Sequence, residues 1–189
     1  VLYYVGSLPR IDNEPLIACV GSRECSSYGE QVTKDIIAVI SPSFAIVSGL
    51  ARGIDSIAHQ AAIDAKGKTI AVLGCGIDYC YPYSNKDLYK EIKKNHLIIS
   101  EYPDNTEPSP DKFPKRNRII AALSKTLLVT EAYFPSGTMT TVYSALADGR
   151  DVFCVPYEAN VNSACNRLIK EGAALVESGE DVLSLLGRK

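Results

Sequence analysis

Lys112, Lys115, Arg116 and Arg118 crowd one short stretch of the chain, with Phe113 and Asn117 among them. Cations in that density suit phosphate oxygens, and the ring suits the face of a planar base. The ordinary alternative, a solvated helix end, is physically awkward because cations near a helix N-terminus oppose its dipole. Arg23, directly after Gly21 and Ser22, is a further cation that either reaches the same row of phosphates or serves a surface ion pair. His59 follows Asp55 at the helical spacing that lets a carboxylate orient an imidazole. A catalytic role for that pair needs a nucleophile and a second base, so the spacing predicts hydrogen bonds that fix a loop. Glu101 and Glu131 each follow a strand and can accept a ribose or base edge or bond nearby backbone N–H groups; Glu131 is assigned to loop structure together with Asp55 and His59. Tyr79, Tyr81 and Tyr83 alternate after Gly76. Tyr83 joins Phe113 as a stacking candidate, the alternative being partial burial at a rim.

These residues need elements to hold them. The stretch Ala45 to Ala65 reads as a buried strand, a loop from Ser48 to Gly53, and a helix from Ile54 with apolar residues at Ile57, Ala58, Ala61, Ala62 and Ala65. A glycine loop between strand and helix presents backbone N–H groups and the positive end of a helix dipole, which suits an anion, although it is often only a tight turn. The pattern recurs. Leu16 to Val20 runs into Gly21, Ser22 and Arg23; Thr69 to Leu73 runs into Gly74 and Gly76; Thr126 to Val129 leads to Ser136, Gly137 and Thr138. Leu2 to Val5, Leu97 to Ile99, Asp151 to Val155 and Ala174 to Val176 complete the strands. Helices are expected from Ser26 or Ser27 to Pro42, over Lys86 to Lys94, from the basic stretch through Leu123, over Thr138 to Asp148, Asn166 to Glu171 and Asp181 to Leu186. Residues 102–112, with three prolines and no periodicity, form a long connection of the kind that usually has a task.

Strands alternating with helices argue for a doubly wound α/β fold, a mainly parallel sheet with helices on both faces. Ligands of such sheets bind beyond the carboxyl ends of the strands, near a switch in strand order. The loops should therefore converge on one edge, and the phosphate-binding set is Gly21, Ser22, Arg23, Ser48, Gly49, Ala51, Gly53, Lys115, Arg116, Asn117, Arg118, Ser136, Gly137 and Thr138. No loop matches the P-loop pattern, and GLARG has the wrong spacing for a dinucleotide fingerprint, which disfavours ATP hydrolysis and NAD binding.

A chain of 189 residues with 46% hydrophobic residues suits one domain with a sizeable core. A net charge of −2 gives no global pull on nucleic acid, so a polyanion must be held by a local patch. The sequence has no membrane-length apolar run and no signal-peptide pattern, and is read as cytoplasmic with no membrane partner. Six cysteines without a CxxC pair, and two histidines, give no zinc spacing; most of the thiols are expected to be buried and reduced. No metal or cofactor is expected.

With these loops in place, the chain resembles the DNA processing protein A family (DprA, also called Smf). The resemblance rests on VGSR at 20–23 with SxYG at 27–29 region residues Ser27, Tyr28 and Gly29, VSGLARGID at 47–55 with Ala58 and His59, and GKTIAVLGCGID at 67–78. It continues through YPYSN at 81–85, ISE at 99–101, FPKRNRIIAALS at 113–124, SGTMTT at 136–141 and GRDVFCVP at 149–156, so it covers nearly the whole chain. It implies a Rossmann-like fold that binds single-stranded DNA, forms a homodimer and helps load a RecA-type recombinase in natural transformation; apolar segments late in the chain, such as Val182 to Leu186, are candidates for the dimer contact. Residues 1–189 are then expected to be a single Rossmann-like DNA-binding domain, without the helical extension and winged-helix-like module that many members carry. Two family glycines are replaced: Tyr157 follows Pro156, and Ala164 or Cys165 precedes Asn166. The related nucleoside-monophosphate phosphoribohydrolases share the fold and a PGGxGTxxE motif, but Thr141 stands here at the glutamate's position, and a threonine cannot do a carboxylate's acid–base work. The expectation is a non-enzymatic binder, with a phosphoribohydrolase-like enzyme or a nucleotide sensor as alternatives.

Overall fold

The computed structural model describes residues 1–7 and 15–187. Among the described residues eight strands form one sheet: β1 (Tyr3–Gly6), β2 (Leu16–Gly21), β3 (Ala45–Ser48), β4 (Thr69–Leu73), β5 (Leu97–Ser100), β6 (Thr126–Glu131), β7 (Asp151–Cys154) and β8 (Ala174–Leu175), in the order β1-β5-β4-β3-β2-β6-β7-β8. All neighbouring pairs are parallel except β1 with β5. Seven α-helices among the described residues connect them: α1 (Ser27–Ile40), α2 (Ile54–Asp64), α3 (Lys86–Asn95), α4 (Lys112–Leu123), α5 (Thr138–Ala147), α6 (Ala164–Lys170) and α7 (Gly179–Leu185). The doubly wound α/β expectation holds, and strand and helix positions agree to within a few residues apart from the start of α4.

Alternation along the strands divides the core. Ile17, Cys19, Ile46, Leu128 and Phe153 pack under α1, α2 and α7, while Leu73 and Ile98 meet Tyr89 and Ile92 of α3 on the same face. Leu16, Ala18, Val20, Val47, Val72, Leu127 and Val129 point the other way, under α4, α5 and α6. Central strands are buried on both sides, which is why they read as unbroken apolar runs. The isoleucines Ile36, Ile37 and Ile40 of α1 are fully buried, each such side chain being worth about 1.5–3 kcal/mol. Strand order grows from β2 through β3, β4 and β5 in one direction and restarts at β6 on the other side of β2. The switch point is therefore between β2 and β6, where a crevice opens at the carboxyl ends.

The proline-bearing connection brings the chain from β5 across this edge to α4. It is tied to the loop after β4 by Gly76 N–H to the Thr106 carbonyl (2.8 Å) and by Asn105 N–H to the Asp78 carboxylate (3.0 Å). Helix α4 begins earlier than the basic cluster suggested, with Pro114 inside its first turn, where a missing N–H forfeits no hydrogen bond. Arg116 and Arg118 thus belong to the second turn, about 200° apart around the axis.

Candidate nucleic-acid interface

The strand-to-helix loops after β2, β3, β4 and β6 meet at the switch point around a groove of about 550 Å³, with a deeper cavity of about 210 Å³ at one end. The loop Gly21-Ser22-Arg23 forms one wall. Its path is set by Ser22 N–H to the Glu131 carbonyl (2.8 Å), Ile54 N–H to the Ser22 carbonyl (3.1 Å) and the Thr138 hydroxyl to the Gly21 carbonyl (3.0 Å). Gly53 stands against that wall at φ 72°, and a side chain there would strike the Ser22 and Arg23 carbonyls. Opposite, Ser136 and Gly137 lead into α5, where the Met139 and Thr140 N–H groups bond back to the Ser136 and Gly137 carbonyls (3.2 Å each), so that the amides at the start of the helix left to face an anion are those of Gly137 and Thr138. Asn117 reaches that turn, donating to the Thr140 hydroxyl (2.7 Å).

Helix periodicity sorts the basic cluster. Phe113, Arg116, Asn117 and Ile120 share the face of α4 that lines the groove. Arg116, only 4% exposed, donates through Nη1 to the carbonyls of Gly49 (2.7 Å) and Val72 (2.6 Å), and through Nε to Asn117 Oδ1 (3.0 Å). It staples the loop after β3 to the end of β4: its donors on Nη1 and Nε are committed to the protein, while the guanidinium still lines the groove. Arg118 and Lys115 lie on the outer face. Arg118 pairs with Glu101 and Lys115 with Asp111 (3.2 Å), and neither lines the groove. The exposed groove cations are Arg23 and Arg52, and among the described residues neither forms an ion pair. Arg52 was missed in the sequence reading although it sits inside the glycine loop between Gly49 and Gly53.

Phe113 stacks on Tyr81, with centroids 5.4 Å apart and planes at 21°, and the Arg23 guanidinium lies 5.7 Å from its centroid. Tyr81 therefore takes the position expected of Tyr83. Tyr83 is 69% exposed outside the groove, its hydroxyl accepting from Lys86 Nζ (2.8 Å). Ala51, Gly49, Gly74 and Cys75 line the cavity beneath the rings. Ser48 stays below the surface, its hydroxyl donating to the Cys19 carbonyl (2.6 Å).

Asp55 and His59 do not form the expected pair. Asp55 accepts from Gly49 N–H (3.1 Å), which fixes the loop after β3, whereas His59 Nδ1 meets the Thr69 hydroxyl at 2.5 Å. The carboxylate of Asp55 turns back to the N-terminal loop of its own helix, while the imidazole turns to β4. Burial raises the Asp55 carboxyl above its ordinary range, against the opposing pull of the Arg116 guanidinium and backbone hydrogen bonds. Burial lowers His59 to about 3, so its ring is neutral. Glu131, buried at the end of β6, accepts from Ser26 N–H (3.0 Å), the Ser26 hydroxyl (2.6 Å) and the Tyr157 hydroxyl (2.9 Å), anchoring the start of α1 behind the groove. Tyr157 also exchanges hydrogen bonds with Asn166, 2.8 Å each way. Val182 packs under α1, while Leu175 and Leu185 stay exposed.

The profile of the DNA recombination-mediator protein A family matches residues 1–187. The chain belongs to this family. It is 45% identical over 186 residues to DNA processing protein DprA of Streptococcus pneumoniae, covering 97% of this chain and 66% of that protein. It is 38% identical to DprA of Bacillus subtilis, covering 98% of this chain and 64% of that protein. The chain thus spans about two thirds of these relatives or less. The solved structure of S. pneumoniae DprA superposes with a TM-score of 0.92 over 97% of this chain and 65% of that one. A Helicobacter pylori DNA processing protein A structure, described as giving insights into a unique single-stranded DNA binding mode, superposes with a TM-score of 0.91 at 30% identity, covering 98% of this chain and 86% of that one. The molybdenum cofactor binding protein of Rippkaea orientalis, at 16% identity and a TM-score of 0.65, shares the fold alone.

No helix among the described residues is long and apolar enough to cross a membrane. All six cysteines are free thiols, four of them buried.

Proposed function

We propose that this chain binds single-stranded DNA in the groove at the β2–β6 switch point and hands it to a RecA-type recombinase, acting as a homodimer in the cytoplasm without catalysing a reaction. One observation carries the reading: Arg23 and Arg52, two exposed arginines that form no ion pair among the described residues, flank a stacked ring pair, Tyr81 and Phe113, opposite the Gly137 and Thr138 amides at the start of α5. Cations and amides answer phosphates, and rings answer bases, which is the pairing single strands require. The likeness to a protein studied for single-stranded DNA binding supports it. A non-catalytic role is supported by the carboxylates lining the groove. Asp55 is buried and spent on the Gly49 amide, Glu24 is an exposed rim residue, and Thr141 occupies the hydrolase glutamate's position.

The test is a titration with fluorescent single-stranded oligonucleotide, with unlabelled duplex and mononucleotide as competitors. The expected result is displacement by unlabelled single strand well below the concentrations of duplex or mononucleotide that achieve it. Equal or better competition by mononucleotide would favour a nucleotide sensor and overturn the proposal.

A further inference from the structure

Helix α3 carries Lys86, Lys90, Lys93 and Lys94 against only Asp87 and Glu91, in a chain of net charge −2. Its apolar side is anchored by Tyr89 and Ile92, Lys90 and Lys94 are exposed, and Lys86 and Lys93 are half-buried. Lys93 bonds the Tyr89 hydroxyl (3.4 Å), and Glu91 is engaged by Asn95 (2.8 Å). Among the described residues Lys86, Lys90 and Lys94 form no ion pair. They recur every four residues and so lie along one stripe of the helix, about 12 Å from first to last.

This stripe is continuous with the groove. Tyr81, Pro82 and Ser84 line the cavity, and Asn85, just before α3, donates to the Leu50 carbonyl (3.0 Å) in the groove loop. Lys86 Nζ sits 5.0 Å from the centroid of the exposed Tyr83 ring. In a parallel sheet, α3 runs from the carboxyl edge back toward the start of β5. Its lysines therefore descend from the groove rim along the flank of the molecule.

We propose that Tyr83 and the Lys86–Lys90–Lys94 stripe form a second segment of the single-stranded DNA path, which takes up the strand as it leaves the groove at Tyr81. This rests on the groove being the primary DNA site. The stripe extends the length of strand bound without reading sequence, since ammonium groups contact phosphates and an exposed ring stacks on any base.

The test compares wild type, the triple variant Lys86→Ala/Lys90→Ala/Lys94→Ala, a groove variant Arg23→Ala/Arg52→Ala, and a control with Lys125→Ala/Lys170→Ala. Each is titrated over a range of salt with two oligothymidylates, one of about 6 and one of about 25 nucleotides, short and long against typical single-strand sites. The triple variant is expected to bind the short probe like wild type and to lose roughly 2 from the salt slope for the long probe, at roughly 0.7 per phosphate contact. The control should match wild type on both. A triple variant with unchanged affinity and slope for the long probe overturns the second segment while leaving the groove standing, provided the groove variant weakens both probes. Wild-type behaviour of the groove variant on both probes instead overturns the groove reading, and the second segment with it. Equal losses in the control and the triple variant reduce the effect to net charge and refute the track.

Discussion

Arg116→Met tests the claim that this arginine is a buried staple. The substitution removes three charge-assisted hydrogen bonds, to the carbonyls of Gly49 and Val72 and to Asn117 Oδ1, and leaves Asp55 buried without the guanidinium that opposes its rise. Hydrogen bonds involving a charged group contribute about 1.5–3 kcal/mol each. Stripping one partner from a buried ionic arrangement costs about 3–5 kcal/mol. The two figures describe overlapping losses, so the expected destabilisation is about 3–5 kcal/mol, against a typical domain margin of about 5–15 kcal/mol. The signature is its pH dependence. Burial raises Asp55 in the folded state, so the folded chain binds more protons than the unfolded one above the ordinary carboxylate pKa, and stability falls as pH rises through that window. Without Arg116 the folded pKa climbs further. The deficit of the variant should therefore stay level near the ordinary carboxylate pKa and widen once pH passes the raised folded pKa of Asp55 in the wild type, by up to about 1.4 kcal/mol per pH unit until the variant's own folded pKa is reached. Asp55→Asn should remove that widening, and the double variant should cost less than the sum of the singles by at least about 1 kcal/mol. Urea unfolding of the four proteins across pH measures all of this. A deficit equal at acid and neutral pH, or an additive cycle, would refute the coupling of Arg116 to Asp55.

Phe113→Ala should weaken single-stranded DNA binding by about 1–3 kcal/mol with an unchanged salt slope, whereas Arg23→Ala should lower the slope by roughly 0.7; identical signatures from the two would separate neither stacking from charge nor ring from guanidinium, and would defeat the groove assignment. His59 is neutral when folded, at about 3, and so binds fewer protons than the unfolded chain below about pH 6.5; the stability it contributes is lost as pH falls. His59→Gln should accordingly gain on wild type as pH drops from 6.5, by up to about 1.4 kcal/mol per unit in urea unfolding, and a constant difference would show that the ring titrates normally. Gly29→Ala should destabilise by about 1–3 kcal/mol, because a methyl there strikes the Glu131 carboxylate that anchors Ser26. Helix propensity alone predicts a gain of about 1 kcal/mol, so a stabilised variant in the same assay would disprove that contact.

The sequence by itself determined the doubly wound sheet and the meeting of glycine loops on one edge. Apolar strand runs such as Thr69 to Leu73 and the helical spacing of Val32, Ile36, Ile37 and Ile40 are local patterns, and a right-handed crossover between parallel strands leaves few ways to assemble them. The family motifs were equally legible, because glycines such as Gly53 mark backbone positions that a side chain would obstruct. What only the tertiary structure decided was the direction of individual side chains. Basic residues crowded together read as one patch, yet the start of α4 one turn earlier sends Arg116 inward to two carbonyls and Arg118 outward to Glu101. The same holds for Tyr81 and Tyr83, of which Tyr81 meets Phe113, and for His59, which turns to Thr69 rather than to Asp55. Spacing along a helix establishes which residues share a face, but the acceptor that captures a guanidinium or an imidazole comes from a strand distant in the chain. Which charges remain free for an anionic ligand is settled only when those strands are in place.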